Sequence, residues 1–203
     1  MNKTKVSLFF LIVFSLLSHG AKAIAGPVEE AFVQQQSVAG LAILSNQELD
    51  EATRSEQFGT FIDQIVDIRK VSRFALGKYA RRLDPKVLTD FQTAFTLYAK
   101  GIYQNSLSQY GGETFTITGS IDRKPGDAVV STMISGGAVE KPLRVRWRVQ
   151  TKDGVSKVID LEAFGIWLAV QQRSEITAYI ANHNGDVGAA TTMLRGRAQS
   201  SGQ

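Results

Sequence analysis

The chain has 203 residues, no cysteine and two histidines, with 23 basic and 19 acidic side chains for a formal charge of +4. Without Cys there are no disulfides, no thiol chemistry and no Cys-based metal sites. Of the two His, His19 lies in the N-terminal segment, so His183 alone cannot build a His-rich metal site or a paired-His system.

Lys3 and Lys5 precede an almost wholly apolar run from Val6 to Leu17, and small residues follow at Ala21-Lys22-Ala23 and Ala23-Ile24-Ala25. Positive, apolar and small segments in that order make a secretory signal. The apolar run is short against the roughly 20 residues a bilayer span needs, and no Cys is present for a lipoprotein anchor. Residues 1–25 are therefore expected to be a cleaved signal peptide, and the periplasm the destination. Cleavage removes Lys3, Lys5 and Lys22 and no acid, leaving 20 basic against 19 acidic residues, or +1. The high computed pI of 9.4 thus leans on the signal and gives no support to nucleic-acid binding. The remaining chain of about 178 residues suits one domain over 26–197, with a small polar tail at 198–203 expected to be flexible.

The first half reads helical. Val28 to Leu44 holds few breakers, and a second helix is expected after Ser45-Asn46, both good N-caps. In it Phe58, Phe61, Ile62, Ile65 and Ile68 recur at three and four, on one helical face. A shorter helix from Ser72 to Leu76 should end at Gly77. Asp84-Pro85 is the clearest helix start; Leu88, Phe91, Phe95, Tyr98 and Ile102 follow at helical spacing, with Tyr103, Leu107 and Tyr110 extending the stripe to Gly111-Gly112. The period then falls to two. Glu113 to Ser120 alternates Phe115 and Ile117 against threonines, and Ala128 to Ser135 is β-branched and apolar. Leu143 to Gln150 sets Leu143, Val145, Trp147 and Val149 against Arg144, Arg146, Arg148 and Gln150. A fourth strand is expected from Ser156 to Ala163. Turns at Pro125-Gly126, Gly136-Gly137 and Asp153-Gly154 suit an antiparallel meander with one face covered. Gly165 to Arg173 reads as an apolar turn or short helix. Ser174 is expected to cap a helix to Asn182, and Asp186 a last one through Leu194. The result is an α+β domain, helices packed on the apolar face of a curved antiparallel sheet.

Motifs for chemistry are sparse. There is no P-loop, no dinucleotide fingerprint and no Gly-x-Ser-x-Gly elbow. Asp63 and Asp67 stand one helical turn apart, a spacing typical of a solvated face. No catalytic residues, metal ligands or cofactor are expected, and the chain does not read as an enzyme. The row Arg144, Arg146, Arg148 could meet phosphate or carboxylate groups, or pair with acids such as Asp160 and Glu162 on the neighbouring strand. Phe91, Phe95, Tyr98, Tyr103, Phe115, Trp147, Phe164 and Trp167 belong to elements that should converge. A filled core and a lined cavity both use such residues.

The segment from about Ile65 to Leu194 resembles the MlaC-type periplasmic phospholipid-binding family, also called the toluene-tolerance family. The matching pieces come in order: Val71-Ser72-Arg73-Phe74-Ala75-Leu76-Gly77-Lys78-Tyr79; Phe91-Gln92-Thr93-Ala94-Phe95 with Tyr98; Tyr110-Gly111-Gly112-Glu113; and Asp160-Leu161-Glu162-Ala163-Phe164-Gly165-Ile166-Trp167-Leu168, then Arg173 and Gly185. The resemblance implies a nuclear-transport-factor-like curved sheet with N-terminal and C-terminal helices around an apolar cavity. It implies a soluble, monomeric periplasmic carrier that encloses phospholipid tails. Such a carrier shuttles between an inner-membrane ABC transporter complex and an outer-membrane lipoprotein complex, in upkeep of outer-membrane lipid asymmetry. Pocket residues would come from Phe91, Phe95, Tyr98, Phe115, Ile117, Val145, Trp147, Ile159, Leu161 and Ile166. Two departures stand out: Ser156-Lys157-Val158 replaces the family's Trp before the Asp, and Trp167 its Ser. They resemble the branch associated with hopanoid biosynthesis, so a hopanoid or other polycyclic lipid is the alternative ligand. A different class is an enzyme on the same scaffold; another is a non-carrying envelope interaction module with a filled core, which a cavity would distinguish from a carrier.

Overall fold

Carboxylates start four of the helices. A free helix N-terminus leaves backbone N–H groups without partners, and a short side-chain acceptor supplies one. Asp50 accepts from the Thr53 N–H at 2.7 Å, Asp67 from Lys70 at 3.0 Å, Asp84 from Lys86 at 2.8 Å and Asp186 from Gly188 at 2.7 Å. The helices are α1 (Pro27–Leu44), α2 (Glu51–Ile65), α3 (Ile68–Ala75), α4 (Pro85–Leu107), α5 (Leu168–Asn182) and α6 (Val187–Ser200), with a 3₁₀ turn at Gly77–Arg81. The structure, a computed structural model, describes residues 27–107, 112–137 and 139–200. The expected signal peptide, the Tyr110-Gly111 approach to the sheet and residues 201–203 lie outside them, as do the side chains of Tyr103 and Leu107.

Four helix boundaries differ from expectation, each for a visible reason. Asn46 does not cap α2; its side chain accepts from the Glu48 N–H at 2.9 Å in a local turn, and the cap passes to Asp50. The helix expected at Ser72 begins four residues earlier, at Ile68, because Asp67 caps it. Between α2 and α3 the chain touches the sheet: the Asp67 N–H donates to the Val158 carbonyl at 2.9 Å. Ile68 therefore leaves the face formed by Phe58, Phe61, Ile62 and Ile65. Helix α5 starts at Leu168 rather than Ser174, since Asp160 of the sheet accepts the Ala169 N–H at 2.9 Å. No local spacing announces a cap supplied from another element. Finally, the expected tail at Ala198 is still helical, and Ala198 packs on the helical core.

The sheet is an antiparallel meander in the order β1 (Thr114–Lys124), β2 (Asp127–Gly136), β3 (Val139–Lys152), β4 (Val155–Ala163), β5 (Ile166–Trp167). Glycines at the expected turns take positive φ, 69° at Gly126 and 78° and 56° at Gly136 and Gly137, and Asp153-Gly154 at 51° and 77° has the mirror-image geometry that suits a twisted hairpin. The register sets Trp147 between Val130 and Leu161, with a bulge between Arg148 and Val149. Bulges bend a strand and help curve this sheet.

Two separate apolar clusters result. The larger lies wholly among helices: Leu76, Phe91, Phe95, Ile176, Ile180 and Leu194 are at most 3% exposed. The smaller joins Val33 of α1 to Val130 and Val149 of the sheet, with Phe32, Phe115, Ile117 and Trp147 around it.

On the other face the arginine row divides. Arg146 pairs with Glu162, as the cross-strand register allows. Arg148 takes both oxygens of buried Asp127, at 3.0 and 2.8 Å, rather than Asp160, whose carboxylate is held by the Leu161 and Ala169 N–H groups. Arg144 stays exposed. Asp63 and Asp67 form no acid pair: Asp63 binds Lys100 at 2.6 Å while Asp67 caps α3.

Candidate functional site

Helices α1 and α2 form a hairpin over the apolar face of the sheet, and between them lies a cavity of about 260 Å³. Its walls are Phe32, Val33, Gln36, Ser37, Gly40, Leu41 and Leu44 from α1, and Phe58, Phe61, Ile62 and Ile65 from α2. The floor is Phe115, Ile134, Trp147 and Val158 of the sheet. Gly40 lets the helices approach closely: a Cβ there would stand 3.1 Å from the Phe61 ring.

Two of the polar groups at the cavity are tied off. The Ser37 hydroxyl turns back to the Val33 carbonyl at 2.6 Å. The Trp147 indole N–H donates to Thr132 Oγ1 at 2.9 Å, and that hydroxyl donates to the Val145 carbonyl at 2.9 Å. This chain of bonds fixes the indole, and the Phe115 ring meets it edge-on at 5.8 Å. A buried donor that is satisfied can serve an apolar floor without cost. At its N-terminal end α1 is pinned to the sheet: buried Glu29 accepts from Thr151 at 2.6 Å, and Glu30 accepts from Ser120.

Among the described residues the cavity lining is apolar apart from Gln36 and Ser37, and holds no carboxylate, imidazole or amine. Among the described residues no group of His, Cys, Asp and Glu could hold a metal, and no helix is long and apolar enough to cross a membrane. The perturbed acids lie elsewhere. Burial raises Asp160, and its backbone hydrogen bonds and the charge of Arg148 offset that only partly. Burial also pushes Asp127 up, but hydrogen bonds from Arg148 and Gln150 and the charges of Arg148 and Arg123 bring it below the ordinary range.

Of the residues expected to form a pocket, Phe115 and Trp147 line the cavity. Ile117 belongs to the small cluster beside it, and Val145 and Leu161 flank Trp147 on the same sheet face. Ile159 is buried in β4, and Ile166 is half exposed on β5. Phe91, Phe95 and Tyr98 sit in the helical cluster, because α4 packs chiefly against α6 and not against the sheet. Nothing in the spacing of α1 marks its cavity wall. The α2 face was read from its spacing, but spacing alone does not say what a face looks onto.

No curated protein matches this chain. Among solved structures, the phospholipid-binding protein from Ralstonia solanacearum, in complex with a phospholipid, superposes with a TM-score of 0.74. The two share 20% sequence identity over 85% of this chain and 98% of that one, a likeness of fold. The family described as MlaC protein matches residues 34–195, from within α1 through α2 and the sheet to within α6, and the chain belongs to that family.

Proposed function

We propose that this protein carries a phospholipid through the periplasm, its acyl tails held between the α1–α2 hairpin and the sheet and its headgroup outside. The observation behind it is a cavity with an almost wholly apolar lining, separate from the buried helical core. Two acyl chains hold about 30 methylenes, and at about 0.8 kcal/mol each their exposure to water would cost on the order of 24 kcal/mol. A soluble carrier must therefore offer a dry sleeve nearly as apolar as the bilayer. The phospholipid bound to the Ralstonia solanacearum protein, on the same fold, supports this choice of cargo. At about 260 Å³ the cavity is smaller than the roughly 300–1,000 Å³ of a drug-sized pocket. A diacyl lipid exceeds that volume, so its tails extend past the cavity's open side or part the hairpin from the sheet.

The periplasmic setting rests on the N-terminal segment, and shuttling between inner- and outer-membrane complexes on family membership. A hopanoid cargo has less support. Trp167 lies under the Arg146 guanidinium at 5.2 Å rather than in the lining, and Ser156 bonds to Thr151. Of the departing residues only Val158 lines the cavity. The test is to produce the full chain in a bacterial periplasm, purify it without detergent, and analyse its organic extract by mass spectrometry. Close to one phospholipid per protein is expected; a stoichiometric hopanoid would replace the cargo. An empty protein that takes up no lipid from vesicles would refute carriage.

A further inference from the structure

The hairpin turn joining β4 to β5 has an unusual occupant. Phe164 and Gly165 have φ of 53° and 81°, the same mirror-image turn that Asp153-Gly154 makes at the preceding hairpin. Asp, Asn and Gly fit its first position; a phenylalanine is strained there. Burial does not compensate for that strain, since Phe164 is 81% exposed. Along the next residues Ile166, Leu168 and Val170 are also substantially exposed, and no acid occurs from Ala163 through Ser174.

Two arginines of β3 border this apolar tip. Val145 pairs with Ala163, so exposed Arg144 stands one residue beyond, beside the turn. Arg146 lies over the Trp167 ring, and its partner Glu162 is buried. The tip is a two-residue turn running into a two-residue strand, with Phe164 at its end, and none of its residues lines the cavity.

We infer that the Phe164 tip docks this protein on the surface of an anionic lipid bilayer. Phe164 enters the headgroup layer there, and exposed Arg144 faces lipid phosphates beside the Arg146–Glu162 pair. An aromatic and aliphatic tip bordered by arginines matches that interface in both polarity and charge. Its positive sign gives the recognition a dependence on anionic lipid and on salt. The tip shares no residue with the cavity lining, so the inference stands whether or not the cavity carries lipid.

The test is flotation of the purified full chain with vesicles of phosphatidylcholine alone and of phosphatidylcholine mixed with phosphatidylglycerol. The wild-type protein should float with the mixed vesicles and lose that binding at high salt. Phe164→Asn, which suits the turn, should fold at least as stably, keep any co-purified lipid, and bind the mixed vesicles at least about tenfold more weakly. Arg144→Gln should weaken binding about fivefold on the mixed vesicles and little on the neutral ones. No flotation of the wild-type protein, or equal flotation of folded Phe164→Asn, would overturn the inference. So would concentration-dependent self-association of the wild-type protein that Phe164→Asn abolishes, which would make the tip a contact between two copies.

Discussion

Replacing Gly40 with leucine puts an isobutyl group into the wall of the cavity from its closest point of helix contact. The first added atom would stand 3.1 and 3.3 Å from two atoms of the Phe61 ring, so the ring must give by a few tenths of an ångström. The overpacking cost of about 1–3 kcal/mol is partly offset by the roughly 1 kcal/mol gained when glycine leaves a helix. The fold should survive. The cargo should not. Each of the roughly four added carbons displaces about one methylene of lipid at about 0.8 kcal/mol, or ~3 kcal/mol in all, and lipid retention should fall about a hundredfold. Gly59 of α2 is the matched control: a Cβ there meets nothing within 4 Å, and Gly59→Ala should gain up to ~1 kcal/mol with its cargo unchanged. The assay is phospholipid per protein after competition with excess vesicles, beside thermal melting. A folded Gly40→Leu protein that keeps its full complement of lipid would refute the placement of the tails.

Asp127→Ala leaves the Arg148 guanidinium, 27% exposed, without its partner, and should cost about 3 kcal/mol by urea unfolding at neutral pH. Because the folded carboxyl lies below the ordinary 3.8, its contribution is whole above that value and is lost as pH falls through the folded one. The gap between wild type and variant should therefore close in acid. Asp160 is the opposite case: its folded value lies above 3.8, so the fold favours the protonated form, and that stabilisation fades as pH rises through the folded value. Asp160→Asn keeps an acceptor for the Leu161 and Ala169 N–H groups without the charge, and should match or slightly exceed wild-type stability at neutral pH. Below pH 3.8 any such advantage should vanish. Thr132→Val removes the acceptor of the Trp147 indole N–H and should cost about 1–3 kcal/mol in melting experiments while loosening the cavity floor.

How much of this was legible in the sequence depended on range. The alternation around Trp147 and the turn at Asp153-Gly154 are local, and strand, face and hairpin formed as their spacing predicted. Asp84-Pro85 likewise started α4. The start of α5 was illegible because its cap, Asp160, lies on β4. The fate of the α4 stripe was hidden for a related reason. Phe91, Phe95 and Tyr98 mark an apolar face equally well whether it meets a sheet or another helix, and here it meets α6. Cavity walls are harder still. Phe58 and Phe61 follow core spacing, and only the position of α1, set partly by Glu29 on Thr151, leaves a space in front of them.

The central claim is that acyl tails lie between the α1–α2 hairpin and the sheet. Loading the purified protein with a phospholipid bearing a photoreactive diazirine in its acyl chain, then mapping adducts by peptide mass spectrometry, tests it most directly. Adducts should fall on the α1–α2 and β3 peptides, at Phe58, Phe61 and Trp147 above all. Adducts concentrated on α4 around Phe91, Phe95 and Tyr98 would contradict the account and move the lipid into the helical layer.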